Sequence, residues 1–404
     1  MRVMYLSVSG ELGGAERSLF DILSSLRQAQ PSWTLRLVTS GDGPLLAQAS
    51  AIGVTTAVLP MPSALSRLGE AGGSSANGGS VGLALHLVRA AMPVARYVQQ
   101  LRREVQEFAP AILHTNSLKM HVLGAWAAPS STPVVWHLHD YIGTRPVTAR
   151  LLRLNRRRCA AIVANSVSVA EDARRALGDE LPILPVLNAV DLQRFSGSGD
   201  RLDLDSLAGL PPAPAGVVRV GLLGTFGRWK GHTTFLDAIA RLPRDLGVRA
   251  YIIGGALYHT DGSQYTLEDL QRYAAGIGLN DCVGFTGFVA NPEDAIRALD
   301  IVVHASTAPE PFGLVIAEAM ACGRAVIASD AGGAREIFTP GVDALGHVPG
   351  SAESLAGQIA DLARDTDKRM RIGRAGRQTA ERRFDRSRLA TDLLPVYRHA
   401  IAGA

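Results

Sequence analysis

Short apolar runs of strand length alternate with stretches of helical period along nearly the whole chain, and that alternation leaves few architectures open. In the first half the runs are RVMYLSV (2–8), TLRLVTS (34–40), AILHTN (111–116), PVVWHLH (133–139) and AIVANS (161–166). In the second they are VRVGLLG (218–224), VRAYIIGG (248–255), VGFTGF (283–288), DIVVHAS (300–306) and AVIASD (325–330). Apolar strands separated by helices predict parallel sheets covered on both faces, an α/β chain of two doubly wound, Rossmann-like domains. The Gly-, Ser- and Pro-rich segment SGSGDRLDLDSLAGLPPAPAG (196–216) interrupts all periodicity and reads as a linker. The expected organisation is therefore an N-terminal acceptor-side domain 1–195, a linker 196–216, a C-terminal domain 217–380, and a terminal helix 381–404 packing back on the first domain, with Pro395 kinking or turning it. Ligands of such sheets bind beyond the carboxyl ends of the strands, so the site is expected in a cleft which the two domains face.

Composition narrows the class. With 47% hydrophobic and 19% charged residues the chain is neither disordered nor a coiled coil. Cys159, Cys282 and Cys322 are odd in number and outside any metal-ligand spacing, which predicts a reducing compartment and no zinc site. The opening MRVMYLSVSG reads as a strand rather than a signal peptide, and Arg89 and Arg96 break the most apolar stretch, 81–98, so a cytoplasmic protein is expected. A net charge of +4 does not imply nucleic acid. Residues 81–158, however, carry eleven basic and three acidic residues, ending in Arg153, Arg156, Arg157 and Arg158 without the aromatics a single-strand binder interleaves. The Gly-rich run 69–80 reads as a mobile loop.

The chemistry concentrates in residues 300–333. A strand ends near Ser306, a loop carries Glu310, and a helix opens at Phe312 or Gly313 and runs to Cys322. Glu318 is the only charged residue of LVIAEAMAC, and a carboxylate in a helix apolar on every face needs donors. A vicinal diol offers two hydroxyls at the right spacing, and the free amides of Gly313, Leu314 and Val315 attract phosphate. Carboxylate, phosphate-seeking amides, carboxylate is the order a sugar nucleotide would require. Pattern alone leaves equally open that Glu318 pairs with an arginine such as Arg335 while Glu310 is solvated.

The segment from Glu310-Pro-Phe-Gly-Leu through Glu318 resembles the signature of glycosyltransferase family 4, the retaining group 1 glycosyl transferases of the GT-B fold. Gly13-Gly14-Ala15-Glu16, Asn188-Ala-Val-Asp-Leu-Gln-Arg-Phe195, Trp229-Lys230-Gly231 and Ser329-Asp-Ala-Gly-Gly333 extend the likeness over nearly the whole chain. The resemblance implies that Glu318 binds the ribose hydroxyls of a nucleoside diphosphate sugar and Glu310 the transferred sugar. It sets the backbone of Phe312, Gly313 and Leu314 against sugar and phosphate, Lys230 on the diphosphate, and Phe288 and Val289 beside the base. Gly13 and Gly14 form an anion-approaching loop, and His139, rather than His137, serves the anomeric carbon and the acceptor. One departure is that the family's arginine five residues before the lysine is Thr225 here; Arg228 either replaces it from a shifted loop or is a surface residue.

The resemblance implies a retaining transfer of a hexose from a UDP- or GDP-sugar to a hydroxyl acceptor, in polysaccharide, lipid-linked oligosaccharide or glycolipid synthesis in a bacterial setting, with no cofactor and no metal. The D-x-D pairs Asp203/Asp205 and Asp365/Asp367 follow no core strand and read as solvated or capping residues. A nucleotide-sugar epimerase and a non-catalytic sugar-nucleotide-binding protein are the alternatives. The apolar and arginine-rich stretch 81–158, in which Arg150, Arg153 and Arg157 recur at helical spacing, suits either peripheral contact with anionic lipid at the inner face of the membrane or a core helix with a charged outer face.

Overall fold

The computed structural model describes residues 1–66, 80–256, 263–279 and 281–403, with residues 64, 66 and 80–90 described by their backbone only. The chain divides into two compact units, one of Met1–Asn188 with Arg386–Ala404 and one of Ala189–Asp385. It therefore leaves the first unit at Asn188 and re-enters it at Arg386.

The first unit is built on strands β1 (Arg2–Ser7), β2 (Thr34–Thr39), β3 (Thr55–Val58), β4 (Ile112–Thr115), β5 (Val134–Leu138), β6 (Cys159–Ala164) and β7 (Ile183–Pro185). They form a parallel sheet in the order β3-β2-β1-β4-β5-β6-β7, so the winding reverses between β1 and β4. The central strands β4 and β5 are buried along their whole length, which is why they read as uninterrupted apolar runs. One face packs Met4, Leu6, Leu113, Trp136 and Leu138 against Tyr97, Leu101 and Val105 of the helix Ser80–Phe108. The opposite face is polar at its centre. There Tyr397, on the C-terminal helix Arg388–Ala402, shares hydrogen bonds with Tyr5 Oη (3.0 Å) and His114 Nδ1 (2.9 Å). That helix runs through Pro395 instead of ending or turning there.

The second unit carries β8 (Val218–Leu223), β9 (Val248–Ile253), β10 (Val283–Gly287), β11 (Ile301–His304), β12 (Ala325–Ser329) and β13 (Leu345–His347). Their order, β10-β9-β8-β11-β12-β13, is again all parallel with its reversal between β8 and β11. Residues 196–216, expected as a linker, belong to this unit. Asp203 caps the short helix Leu204–Leu207 through Ser206 N (3.0 Å). Asp205, far from being solvated, is buried and accepts hydrogen bonds from Tyr251 Oη (2.6 Å), Arg249 (2.8 Å), Arg219 (3.1 Å) and Ala213 N (2.9 Å). Burial works against its charge, but these donors outweigh it and hold the carboxyl well below the usual range. The segment is thereby stapled to the start of β8 and β9. Asp365 caps the helix Thr366–Arg383 through Lys368 N (2.8 Å).

The Gly-rich run 69–80 lies, Ser80 apart, outside the described residues. No helix among those described is long and apolar enough to cross a membrane. Cys159 and Cys322 are buried thiols and Cys282 is half-buried.

Candidate functional site

In a doubly wound sheet the crevice opens where strand order reverses, beyond the carboxyl ends of the two central strands. In the second unit that point is occupied by the loops after β8 and β11, and the backbone forces them together. Gly231 has φ +75°, and a Cβ there would meet the Ala305 carbonyl oxygen at 1.9 Å, so only glycine fits. Thr307 N donates to Trp229 O at 2.7 Å. The loop carrying Lys230 is thus pinned against the loop carrying Glu310.

Lys230 Nζ donates to both carboxylate oxygens of Glu310, at 2.8 and 2.9 Å. Ser306 Oγ donates to Oε2 at 2.7 Å, and His304 Nε2 lies 3.2 Å from Ser306 Oγ and 3.4 Å from the same carboxylate oxygen. Because Ser306 spends its proton on Glu310, His304 completes the chain as the Nε2–H tautomer. Glu310 is largely buried, which disfavours its charge; Lys230 and His304 more than reverse this and hold its carboxyl well below the ordinary range. Gly333 N donates to the Glu310 carbonyl (2.8 Å), fixing the backbone of the loop as well. His304 and Ser306 were not singled out from the sequence, although their place at the end of an otherwise apolar strand run was visible.

The helix Leu314–Ala321 opens directly after this loop. Its N-cap, Gly313, has φ +100°, a left-handed value that favours glycine, and the amides of Gly313, Leu314 and Val315 have no intrahelical partner. The Phe312 ring is buried edge-on against Phe384 with centroids 5.9 Å apart. Glu318 lies in the same helix and is 8% exposed. Arg335 pairs with Asp330 at 3.4 Å. Glu318 acts electrostatically on Arg194, whose guanidinium burial disfavours but Glu293, Glu318 and Asp191 hold firmly protonated.

Arg228 is exposed and lies over the Tyr265 ring at 4.4 Å, its amide bound to Ser263 O. Phe288 follows β10 and is 68% exposed, with Val289 half-buried behind it.

The matching crevice of the first unit holds the other candidates. Gly13 caps the helix Gly14–Ala29 with φ −73°, so it is not there for its backbone conformation. Asn116, just beyond β4, donates through Nδ2 to Ala15 O (3.1 Å) and accepts at Oδ1 from His139 Nε2 (2.7 Å). This side chain, missed in the sequence, joins the glycine loop to His139. The first bond fixes the amide orientation, and the second therefore requires His139 to be the Nε2–H tautomer, leaving Nδ1 as an acceptor. Burial lowers His139 to about 3, so its ring is neutral. His137, two residues earlier on β5, lies against it with ring centroids 4.0 Å apart and planes tilted by 40°, as alternation along a strand expects, and both its nitrogens are buried without a partner.

Among the described residues no three His, Cys, Asp or Glu side chains group as a metal site would need.

Residues 12–194 match the family described as Glycosyltransferase Family 4, and residues 214–379 that described as Glycosyl transferases group 1. Among curated proteins, the lipopolysaccharide core biosynthesis mannosyltransferase LpsB of Rhizobium meliloti (strain 1021) is 31% identical over 62% of this chain and 74% of its own length. A D-inositol 3-phosphate glycosyltransferase of Xylanimonas cellulosilytica is 33% identical over 59% of this chain and 57% of its own length. Among solved structures, Anabaena Alr3699/HepE in complex with UDP and glucose superimposes with a TM-score of 0.78 at 28% identity, covering 98% of this chain and 99% of that one. With two Rossmann-like parallel sheets, both family matches and these relatives, the chain belongs to the group 1 glycosyltransferases and has the GT-B fold.

Proposed function

We propose that this glycosyltransferase moves a hexose from a UDP- or GDP-sugar to a hydroxyl acceptor with retention at the anomeric carbon and without a metal ion, in the assembly of a bacterial polysaccharide, lipid-linked oligosaccharide or glycolipid. The observation that carries the reading is the Lys230–Glu310 pair at the β8/β11 reversal, beside the open amides of Gly313, Leu314 and Val315. The relatives' names support it: one is called a lipopolysaccharide core mannosyltransferase, and the Anabaena protein was crystallised with UDP-glucose.

In this reading the diphosphate lies between Lys230 Nζ and the first-turn amides, which need no reorganisation to stabilise the charge that grows on the leaving group. Glu310, kept ionised by its donors, accepts hydroxyls of the hexose. Glu318 receives the ribose hydroxyls, and Phe288 and Val289 border the base. Arg228 gives the diphosphate a further positive charge. His139, neutral and oriented by Asn116, serves the acceptor and the anomeric carbon. The leaving phosphate takes the acceptor's proton as the new bond forms on the same face, so no side-chain nucleophile is needed.

The test is a screen of UDP- and GDP-sugars by thermal shift, followed by transfer assays with hydroxyl acceptors in the presence of EDTA. A donor-specific rise in melting temperature and EDTA-resistant transfer are expected. Sugar interconversion without acceptor would make the protein an epimerase, and nucleotide binding without turnover a binding protein.

A further inference from the structure

We propose that the outer face of the helix Pro146–Asn155 docks this protein on an anionic lipid bilayer, an interaction separate from the donor chemistry proposed above. The inner face of that helix is explained by folding: Ala149 and Leu152, three residues apart, are buried in the core of the first unit. The outer face is not. Val147, Leu151 and Leu154 recur at i, i+4 and i+7 and are 76%, 41% and 74% exposed, a continuous apolar stripe that the described residues leave uncovered. A helix with apolar residues on both faces belongs in a core or against an apolar partner.

The neighbours of the stripe say which partner. On one side stands Arg150, exposed, and past the end of the helix Arg157, also exposed. On the other side Trp126, 42% exposed, donates its indole N–H to Asn155 at 2.7 Å, and Arg102 donates to the Trp126 carbonyl at 2.7 Å. A tryptophan and arginines rimming exposed aliphatics is the composition of a surface that sits among lipid headgroups, with the aliphatics in the acyl boundary.

The rest of the basic run is employed otherwise, which sharpens the assignment. Arg153 donates to Ala176 O, Arg156 pairs with Glu180 (2.7 Å), and Arg158 donates to the carbonyls of Ala125, Ala128 and Pro129. These arginines hold helix ends, leaving Arg150 and Arg157 to give the stripe its charge. A second copy of the chain is a poor occupant, because a two-fold contact joins the same patch from both copies and so gathers Arg150 and Arg157 of each into one interface. An anionic bilayer matches both the apolar stripe and the charge.

Co-sedimentation with phosphatidylcholine vesicles, with and without phosphatidylglycerol, tests this. The wild-type protein is expected to bind the vesicles containing phosphatidylglycerol and to be released by added salt. The triple substitution Val147→Ser, Leu151→Ser, Leu154→Ser and the double substitution Arg150→Glu, Arg157→Glu should each lower binding at least tenfold, with circular dichroism and melting temperature close to wild type. Wild-type protein that binds neither vesicle, triple-variant binding equal to wild type, or a solution dimer that the triple substitution dissociates would each overturn the proposal.

Discussion

Lys230 and Glu310, eighty positions apart in the sequence, meet as a bidentate ion pair of 2.8 and 2.9 Å across the reversal point of the second sheet. The pair is unequal, because the carboxylate is the more buried partner, with Ser306 and His304 on the same oxygen. Lys230→Ala leaves a buried charge with fewer donors, whereas Glu310→Gln leaves a lysine that can reach water. Lys230→Ala should therefore cost on the order of 2–3 kcal/mol of stability and Glu310→Gln on the order of 1. Urea unfolding measures both. Transfer should fall at least about 100-fold in each, the scale seen when a preorganised charge partner is removed.

Glu310 and the buried histidines of the first unit respond to acid over different windows. Glu310 has a folded pKa below its ordinary 4.5, so it contributes stability above that value and loses it as pH falls further. The histidines behave with the same sign over a higher window. Burial lowers His114 and His139 from 6.5 to about 3, so the unfolded chain takes up their protons first and stability declines from pH 6.5 downward. Each such group adds a slope of roughly 1.4 kcal/mol per pH unit. His137→Phe, which removes a buried ring without a hydrogen-bond partner, should flatten the curve below pH 6.5, because burial holds this ring's pKa well below its ordinary value too. Glu310→Gln should flatten it only below 4.5. Denaturant midpoints taken across pH distinguish the two; identical curves for all three proteins would contradict the assignments.

Gly231→Ala should be among the most damaging single-methyl changes in the second unit. Its φ is +75° and the added carbon would fall on the Ala305 carbonyl. A loss of about 2 kcal/mol or more is expected, together with loss of donor binding, because the loop that presents Lys230 must move away from β11. Calorimetry gives the first and titration with UDP and GDP the second.

Phe288→Ala should do the opposite. A ring 68% exposed contributes little to folding, so the unfolding free energy should stay within about 0.5 kcal/mol of wild type. If the ring borders the base, nucleotide affinity should fall roughly 3- to 10-fold. Unchanged affinity would remove Phe288 from the site.

The sequence made some of this legible for reasons that the structure explains. Strands buried on both faces, such as β4 and β5, announce themselves as apolar runs. Of the four edge strands only β10 was legible; β3, β7 and β13 were not, because TTAV, ILP and LGH, four, three and three residues long, are too short to form such a run. Lys230 and Glu310 stood out as residue types in context, but their bond could not be read, since it depends on how closely Gly231 approaches Ala305. Asn116, His304 and Ser306 were hidden as ordinary polar strand ends. Residues 196–216 looked like a linker because proline and glycine break periodicity, while the partners that bury Asp205, namely Arg219, Arg249 and Tyr251, lie on later strands.

The most direct test of the central claim is a crystal structure of the protein soaked with the nucleoside diphosphate sugar that gives the largest thermal shift. It should show the diphosphate within hydrogen-bond distance of Lys230 Nζ and the Gly313–Val315 amides, with hexose hydroxyls on Glu310 and ribose hydroxyls on Glu318. Donor bound elsewhere, with the Lys230–Glu310 pair undisturbed and no ribose hydroxyl on Glu318, would contradict it.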